Sequence, residues 1–406
     1  MSDTVEMAFV GPLVADVPSR HGPAFSRAGN MFQLGLVTGL QRAGVRVTVL
    51  GFAPASAFPR SRRIWIRGGV EKVSDQVETR LVGYVNLVLL KQLWVGVAIG
   101  LRLLAWGWRA RRGRRVVYEY NLTMPPGLIV WTFARAAGAR VFASLNDVNV
   151  PGQTVPDTLP FQLDFKAQGW AIRLLDGLVV VADQIARDFA PGRRYLRLDG
   201  GIRAEAFAPA EPPPADPDRP FVIATAGSLD KVNGIAELLA AFALLRGDRF
   251  RLRIAGTGPL AEQVRVAAAR DARIEYLGFQ DFAAVLELYR RADLLVNLRL
   301  TKALDTRYFF PSKLMEFLAS GVPVLTTCTG HVKEEYGAFA LLAEEETPES
   351  VAAVIARIAE LPEDARRGIG ARARTYMLTE KTWDAQGARL ARFIREEAFG
   401  DGRCAS

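Results

Sequence analysis

The 406-residue sequence predicts two α/β domains in succession, and three observations carry that prediction. A strand–loop–helix–strand pattern opens the chain between Met7 and Leu50. A second such opening begins at Phe221, after the Pro-rich, acidic stretch Ala208–Pro220. Elsewhere, short apolar runs alternate with helical patterns, as in open parallel sheets. The length suits two domains, and half the residues are apolar, enough for two large cores. The expected division is 1–207 and 221–381, with a linker over 208–220 and a last helix and tail over 382–406.

Met7–Val10 reads as the first strand and ends at Gly11-Pro12. A polar loop with His21 follows to about Gly29. Phe32, Leu34, Leu36, Val37 and Leu40 then fit a helix stopped by Gly44, and Val45–Leu50 is the next strand. The loop after the first strand lies at the carboxyl edge of the sheet, where such folds bind ligands. Leu81–Trp108 is the most apolar stretch. Asn86, Lys91 and Arg102 interrupt it, so it is too short in apolar runs to span a bilayer. We expect a core helix pair there. The alternative is an interfacial helix on an anionic membrane, favoured by Trp94, Trp106, Trp108 and the basic run Arg109–Arg115.

Val116–Tyr120 is a strand ending at Asn121, Leu128–Ala137 a helix, and Val141–Leu145 a strand. Asn146 and Asp147 lie just past that strand's carboxyl end. They either face ligand or cap the next segment. Phe165–Leu175 and Asp183–Ala190 are helical around the strand Asp176–Val181.

The second domain opens with the strand Phe221–Ala224, the loop Gly227–Gly234 and the helix Ile235–Leu245. The strand Arg251–Ala255 leads into Gly256-Thr257-Gly258-Pro259-Leu260-Ala261, formally a Gly-x-Gly-x-x-Ala match with Glu275 further on. A lone match of this kind allows an NAD-dependent oxidoreductase as an alternative. Strands over Arg273–Phe279 and Asp293–Asn297 follow, the latter leading to Arg299. Pro348–Leu361, Asp364–Tyr376 and Thr382–Phe399 are helices. His331 is expected on a surface loop.

The stretch over residues 308–327, Tyr-Phe-Phe-Pro-Ser-Lys-Leu-Met-Glu-Phe-Leu-Ala-Ser-Gly-Val-Pro-Val-Leu-Thr-Thr, is the most informative. Pro311 suits a first helical turn, and Leu314, Met315, Phe317 and Leu318 give a buried face. Gly321 ends the helix and a short strand follows. The first N–H groups of a helix lack partners and its dipole favours negative charge, so this end suits an anion. Ser312 and Lys313 stand there, with Glu316 one turn on. A phosphate site followed by a carboxylate is what a nucleotide with a ribose diol would use.

This stretch resembles the donor-site helix of retaining glycosyltransferases of family 4, in the form Tyr-x-Phe-Pro-Ser-Lys-x-x-Glu familiar from polysaccharide-building members. The resemblance implies the GT-B fold, two Rossmann-like domains with a deep cleft between them, and a C-terminal helix crossing back to the first domain. It implies a metal-independent hexosyltransferase using a nucleotide-diphosphate sugar, with UDP as the leading base, and a glycan or lipid-linked acceptor. Lys313 and Arg299 would neutralise the leaving diphosphate, and Glu316 would hold the ribose. Gly227, Ser228, Lys231, Asn233, Gly256, Gly258, Tyr276, Tyr308, Phe309, Phe310, Pro311, Ser312 and Leu314 would line the donor site. His21, Asn121, Asn146 and Asp147 would serve the acceptor or sugar side. The chain departs from the pattern in four places. Tyr308 replaces a Glu, Asn146 replaces a His, and Ser228 and Asn233 stand where Arg and Lys hold the diphosphate. A binding protein without turnover is therefore a further alternative.

Net charge is +9, with 25 Lys and Arg against 14 Asp and Glu up to residue 200, and 27 against 29 thereafter. A basic first half suits an anionic surface, and no nucleic-acid motif accompanies it. Cys328 and Cys404 give neither a zinc pattern nor a disulfide framework. No cofactor or metal is expected, because Asp216-Pro217-Asp218 sits in a Pro-rich loop. The polar start carries no signal-peptide pattern. The expected location is the cytoplasm, with peripheral attachment to the inner face of the membrane.

Overall fold

A computed structural model describes residues 4–17, 24–88, 90–110, 113–152, 154–207, 219–301 and 306–401. It divides into two compact units, Met1–Gly201 with Trp383–Ser406, and Ile202–Thr382. His21, the Asp216-Pro217-Asp218 triplet, Cys404, Arg111, Arg112 and most of the expected linker lie outside the described residues.

The first unit runs β1 (Val5–Val10), α1 (Arg27–Arg42), β2 (Arg46–Phe52), β3 (Trp65–Ile66), β4 (Gly69–Lys72), β5 (Glu78–Val82), β6 (Tyr84–Val85) and α2 (Leu90–Arg109). It continues with β7 (Arg114–Glu119), α3 (Pro126–Ala136), β8 (Arg140–Leu145), α4 (Leu159–Ile172), β9 (Gly177–Val180), α5 (Asp183–Phe189) and β10 (Tyr195–Arg197). The sheet order is β10-β9-β8-β7-β1-β2-β5-β4, parallel except for the β4–β5 edge pair. β1 is fully apolar inside because parallel strands are covered on both faces. The order reverses between β1 and β7, which makes their carboxyl ends the switch point of the sheet.

The expected helix pair over Leu81–Trp108 is not there. Glu78–Val82 alternates exposed and buried residues, a two-residue period that selects strand β5, and one 20-residue helix, α2, follows β6. Trp106 is buried, so it belongs to the core side of α2 rather than to an interface.

The second unit runs β11 (Phe221–Ser228), α6 (Ile235–Leu244), β12 (Phe250–Thr257), α7 (Ala261–Arg270), β13 (Ile274–Gly278), α8 (Phe282–Arg290), β14 (Leu294–Asn297), α9 (Ser312–Ser320), β15 (Val324–Thr327), α10 (Val332–Tyr336), β16 (Leu341–Ala343), α11 (Pro348–Ala359) and α12 (Glu363–Glu380). Its sheet is wholly parallel in the order β13-β12-β11-β14-β15-β16. Two apolar clusters cover its faces. The order reverses between β11 and β14.

The last helix, α13 (Trp383–Phe399), returns to the first unit. Leu390, Phe393 and Ile394 join the core formed by β1 and α1. Arg42 holds both Asp384 oxygens at 2.7 and 2.9 Å, and Arg194 binds Glu396 and Glu397. Gly39 and Gly387 let α1 and α13 meet backbone to backbone. A Cβ on Gly39 would lie 2.0 Å from the Trp383 carbonyl oxygen, and one on Gly387 2.1 Å from the Gly39 carbonyl carbon. The chain thus has the GT-B fold, with the crossing helix that the resemblance implied.

Candidate active site

Four segments converge at the switch point of the second sheet: the loop after β11, the end of β14, the end of β15, and the start of α9. The central helix forms as the sequence indicates. Leu314, Met315, Phe317 and Leu318 are buried, and Gly321 ends the helix at φ 82°, a left-handed position that favours glycine. Pro311 occupies the N-cap rather than the first turn, and it supplies no side-chain cap. A proline cannot offer the oxygen that Ser or Asp would, so the helix start keeps its anion-binding character.

Lys313 folds back to the β11 strand, where its ammonium donates to the Ala226 carbonyl at 3.2 Å. Gly227 makes this approach possible. Its φ is 149°, and a Cβ there would sit 1.6 Å from Lys313 Nζ. Burial pulls the Lys313 pKa down, opposed by the negative charges of Glu316 and Asp230. Burial likewise pushes the Glu316 carboxyl up, opposed by Lys313 and Arg203. The desolvated cation and the desolvated acid thus support one another's charged forms.

Arg299 leaves β14 with its backbone clamped. Its N–H donates to Thr327 Oγ1 at 2.9 Å, and its carbonyl accepts from Thr327 and Thr329 at 2.8 and 3.1 Å. Its guanidinium donates to Asn233 Oδ1 at 2.9 Å. Burial lowers its pKa, with Asp230 opposing. Asn297, at the end of the same strand, has a buried Nδ2 without a hydrogen-bond partner among the described residues.

Ser228 and Asn233, the two substituted positions, form a network around Asp230. Ser228 Oγ donates to Asp230 at 2.8 Å, Asn233 N and Nδ2 donate to the same carboxylate at 2.9 and 3.0 Å, and Nδ2 also donates to the Ser228 carbonyl. Asp230 thereby fixes Asn233, which orients Arg299. Sequence reasoning missed Asp230, Thr327 and Thr329. The signal for Asp230 was available as an Asx-type spacing, Asp-x-x-Asn in a loop. Lys231 is exposed, and among the described residues its side chain makes no hydrogen bond or ion pair with this network.

Gly256 and Gly258 pack closely against the β11 loop. A Cβ on Gly256 would lie 1.8 Å from the Gly227 carbonyl oxygen, and one on Gly258 2.4 Å from that of Leu229. Both glycines admit the neighbouring β11 loop. Tyr276 donates to the Gly256 carbonyl at 2.9 Å and steadies that loop.

Tyr308 is buried, Phe309 and Phe310 are half-buried, and Ser312 is exposed. Phe310 stacks on His331 with ring centroids 5.2 Å apart. His331 is therefore no surface residue, being 7% exposed. Its ring packs in an aromatic group with Phe310 and Tyr336, which a lone histidine in a loop does not signal.

In the first unit, Asn121, Asn146 and Asp147 come together at the carboxyl ends of β7 and β8. Asn121 adopts φ 56°, and its Oδ1 accepts from the N–H groups of Asn146 and Asp147 at 3.3 and 3.1 Å. Ser144 Oγ accepts from Asn121 N and Asn146 Nδ2. Among the described residues, no helix begins between Asp147 and Leu159, so Asn146 and Asp147 are not helix caps.

Residues 220–360 match the family model described as Glycosyl transferases group 1. They form a glycosyltransferase domain. The model thus covers the switch point with Lys313, Arg299 and Glu316. Over the full chain, the fold is similar to a glycosyltransferase from Rickettsia africae, with 13% identity, TM-score 0.67, and coverage of 99% of this chain and 100% of the other. It is similar to sucrose-phosphate synthase from Thermosynechococcus elongatus, with 16% identity, TM-score 0.66, and coverage of 96% and 98%. It is also similar to Anabaena HepE in complex with UDP-glucose, with 14% identity, TM-score 0.61, and coverage of 96% and 98%. No curated protein matches the sequence.

Proposed function

We propose that the chain is a retaining, metal-independent hexosyltransferase of family 4 that uses a UDP-sugar and a glycan or lipid-linked acceptor. The observation that carries this reading is the placement of Lys313 and Arg299, both desolvated, at the switch point beside the uncapped start of α9. Departure of a diphosphate from an anomeric carbon builds negative charge on the leaving group. Preorganised donors in a dry site stabilise that charge most effectively. Lys313 and Arg299 would contact the diphosphate, with the helix N-terminus adding its dipole. Glu316 would accept from the ribose hydroxyls. UDP as the base is supported by the UDP-glucose complex of the Anabaena neighbour.

The departures from the family pattern leave a working site in this reading. Asn233 and Ser228 give up direct phosphate charge and instead fix Asp230, which positions Arg299 through Asn233. The test is UDP release from a panel of UDP-hexoses with a methyl glycoside acceptor, with the product anomer read by NMR. Retained configuration in the presence of EDTA supports the reading. Inversion, or activity abolished by EDTA, contradicts it.

The reading includes peripheral attachment to an anionic membrane. One face of α2 exposes Leu90, Leu93, Trp94, Val97, Leu101 and Trp108 at helical spacing. Trp65 of β3 packs edge-on against Trp94, and Arg60, Arg62, Arg63, Arg67, Arg102 and Arg109 are exposed along these segments. An apolar stripe with a basic margin suits an interfacial helix. Among the described residues, no helix is long and apolar enough to cross a membrane.

A further inference from the structure

The switch point of the first sheet holds a cavity of about 130 Å³. Phe52, Val95, Ile99 and Val130 give it apolar walls, and Gly11 and Asn121 also line it. Glu119, the last residue of β7, lines the same space at 4% exposure. Its Oε2 is buried without a hydrogen-bond partner among the described residues. α3 crowds the carboxyl from one side, since a Cβ on Gly127 would lie 2.9 Å from Glu119 Oε1.

Among the described residues, none of the elements around this carboxyl brings a charge to the cavity. α2 contributes Gln92, Val95 and Ile99, and α3 contributes Pro126 and Val130. The β1 end contributes Val10, Gly11 and Pro12, and β2 contributes Phe52. Among the described residues, the one other ionisable group lining it is the Tyr120 phenol, which burial holds neutral. Desolvation alone pushes Glu119 up to about 8, so it carries its proton at neutral pH. A protonated carboxyl both donates and accepts. An alcohol has the same double capacity, whereas an anion offers only acceptors. Leaving such a group unpaired in this cavity forfeits a hydrogen bond that a ligand hydroxyl would restore. The volume corresponds to roughly four waters at about 30 Å³ each, enough for the hydroxyl-bearing edge of one sugar ring.

We propose that this cavity is a subsite for an uncharged sugar edge, with Glu119 as its buried hydrogen-bonding partner. The proposal deepens the acceptor side of the transferase reading and rests on that reading for the identity of the sugar as acceptor.

The test uses the full chain and ligand-observed NMR with methyl glucoside, methyl galactoside, methyl mannoside and methyl 2-amino-2-deoxyglucoside, each alone. UDP binding and melting temperature are measured in parallel on the same samples. We expect one neutral hexoside to bind wild type at pH 6.5. Glu119→Gln, which keeps a donor and an acceptor, should bind it within about threefold. Glu119→Leu and Val130→Phe should lose more than tenfold while UDP binding is unchanged. Absence of hexoside binding by wild type overturns the proposal, as does equal affinity in folded Glu119→Leu. A preference for the amino sugar over the neutral hexosides at pH 6.5 also overturns it, by pointing to an ionised Glu119 and a cationic ligand. Failure of UDP to bind wild type would instead contradict the transferase reading and leave the hexoside result to stand alone.

Discussion

Lys313 Nζ lies 3.2 Å from the carbonyl oxygen of Ala226, spanning from the start of α9 to the end of β11. The contact fixes a cation at the one place in the second sheet where neighbouring strands turn in opposite directions. The ammonium is held by a neutral dipole and by two carboxylates that act at a distance, Glu316 and Asp230. Such a cation is incompletely paired, and a phosphate oxygen would complete it.

Gly227→Ala tests whether that placement depends on the missing side chain. The added methyl would overlap Lys313 Nζ and force φ 149° on an L-residue. We expect UDP affinity to fall at least tenfold, with a stability loss of about 1–2 kcal/mol from backbone strain. Calorimetric titration with UDP and urea unfolding separate the two effects. Unchanged affinity would show that Lys313 reaches the ligand without this gap.

Much of this geometry was legible beforehand, and the reason is local. The α9 segment carries its own start, buried face and glycine stop, and the strand–helix alternation gives a parallel sheet whose carboxyl edge is the functional edge. What escaped was non-local. Asp230 matters because Asn233 and Arg299 come to it from the same loop and from the end of another strand. Glu119 reads as one more residue of a buried strand until α2 and α3 close over it. Leu81–Trp108 misled because its apolar content hid a change of period between Val85 and Leu90, from two residues to helical.

The α1–α13 crossing should be intolerant of any side chain. Gly39→Ala and Gly387→Ala each place a methyl inside the opposing backbone. Each should cost about 1–3 kcal/mol or more, as overpacked contacts do. Chemical denaturation measures this directly. Changes under about 0.5 kcal/mol would mean that the two helices separate freely.

Glu119 should make stability fall with pH. Its carboxyl keeps a proton up to about 8 when folded, against an ordinary value of 4.5. Between these values the folded chain binds a proton that the unfolded chain has released. Stability therefore declines across that window and levels off above it. Glu119→Gln removes the effect, so its stability relative to wild type should rise from pH 5 to pH 9, by up to a few kcal/mol. A difference that stays constant with pH would contradict a desolvated carboxyl.

The exposed stripe of α2 predicts sedimentation with vesicles containing anionic lipid and none with zwitterionic vesicles at the same salt. Trp94→Glu with Trp108→Glu should abolish it, since burying each aromatic is worth about 1.5–3 kcal/mol. Arg63→Glu with Arg67→Glu should weaken it and flatten its salt dependence. Equal binding to both vesicle types would remove the basic margin from the account.

The most direct measurement is UDP binding to the full chain with EDTA present, read as a melting-temperature shift for wild type and Lys313→Ala. The account predicts a saturable shift in wild type, because ligand binding to the folded state stabilises it by mass action. It predicts a shift at least tenfold weaker in UDP concentration for Lys313→Ala. The unliganded variant should melt lower than wild type, since removing Lys313 leaves the desolvated Glu316 carboxyl without its cation, so each shift is read against the protein's own unliganded melting temperature. A UDP shift that survives Lys313→Ala intact, or that disappears with EDTA, would contradict the central claim that this lysine and the helix start hold the diphosphate.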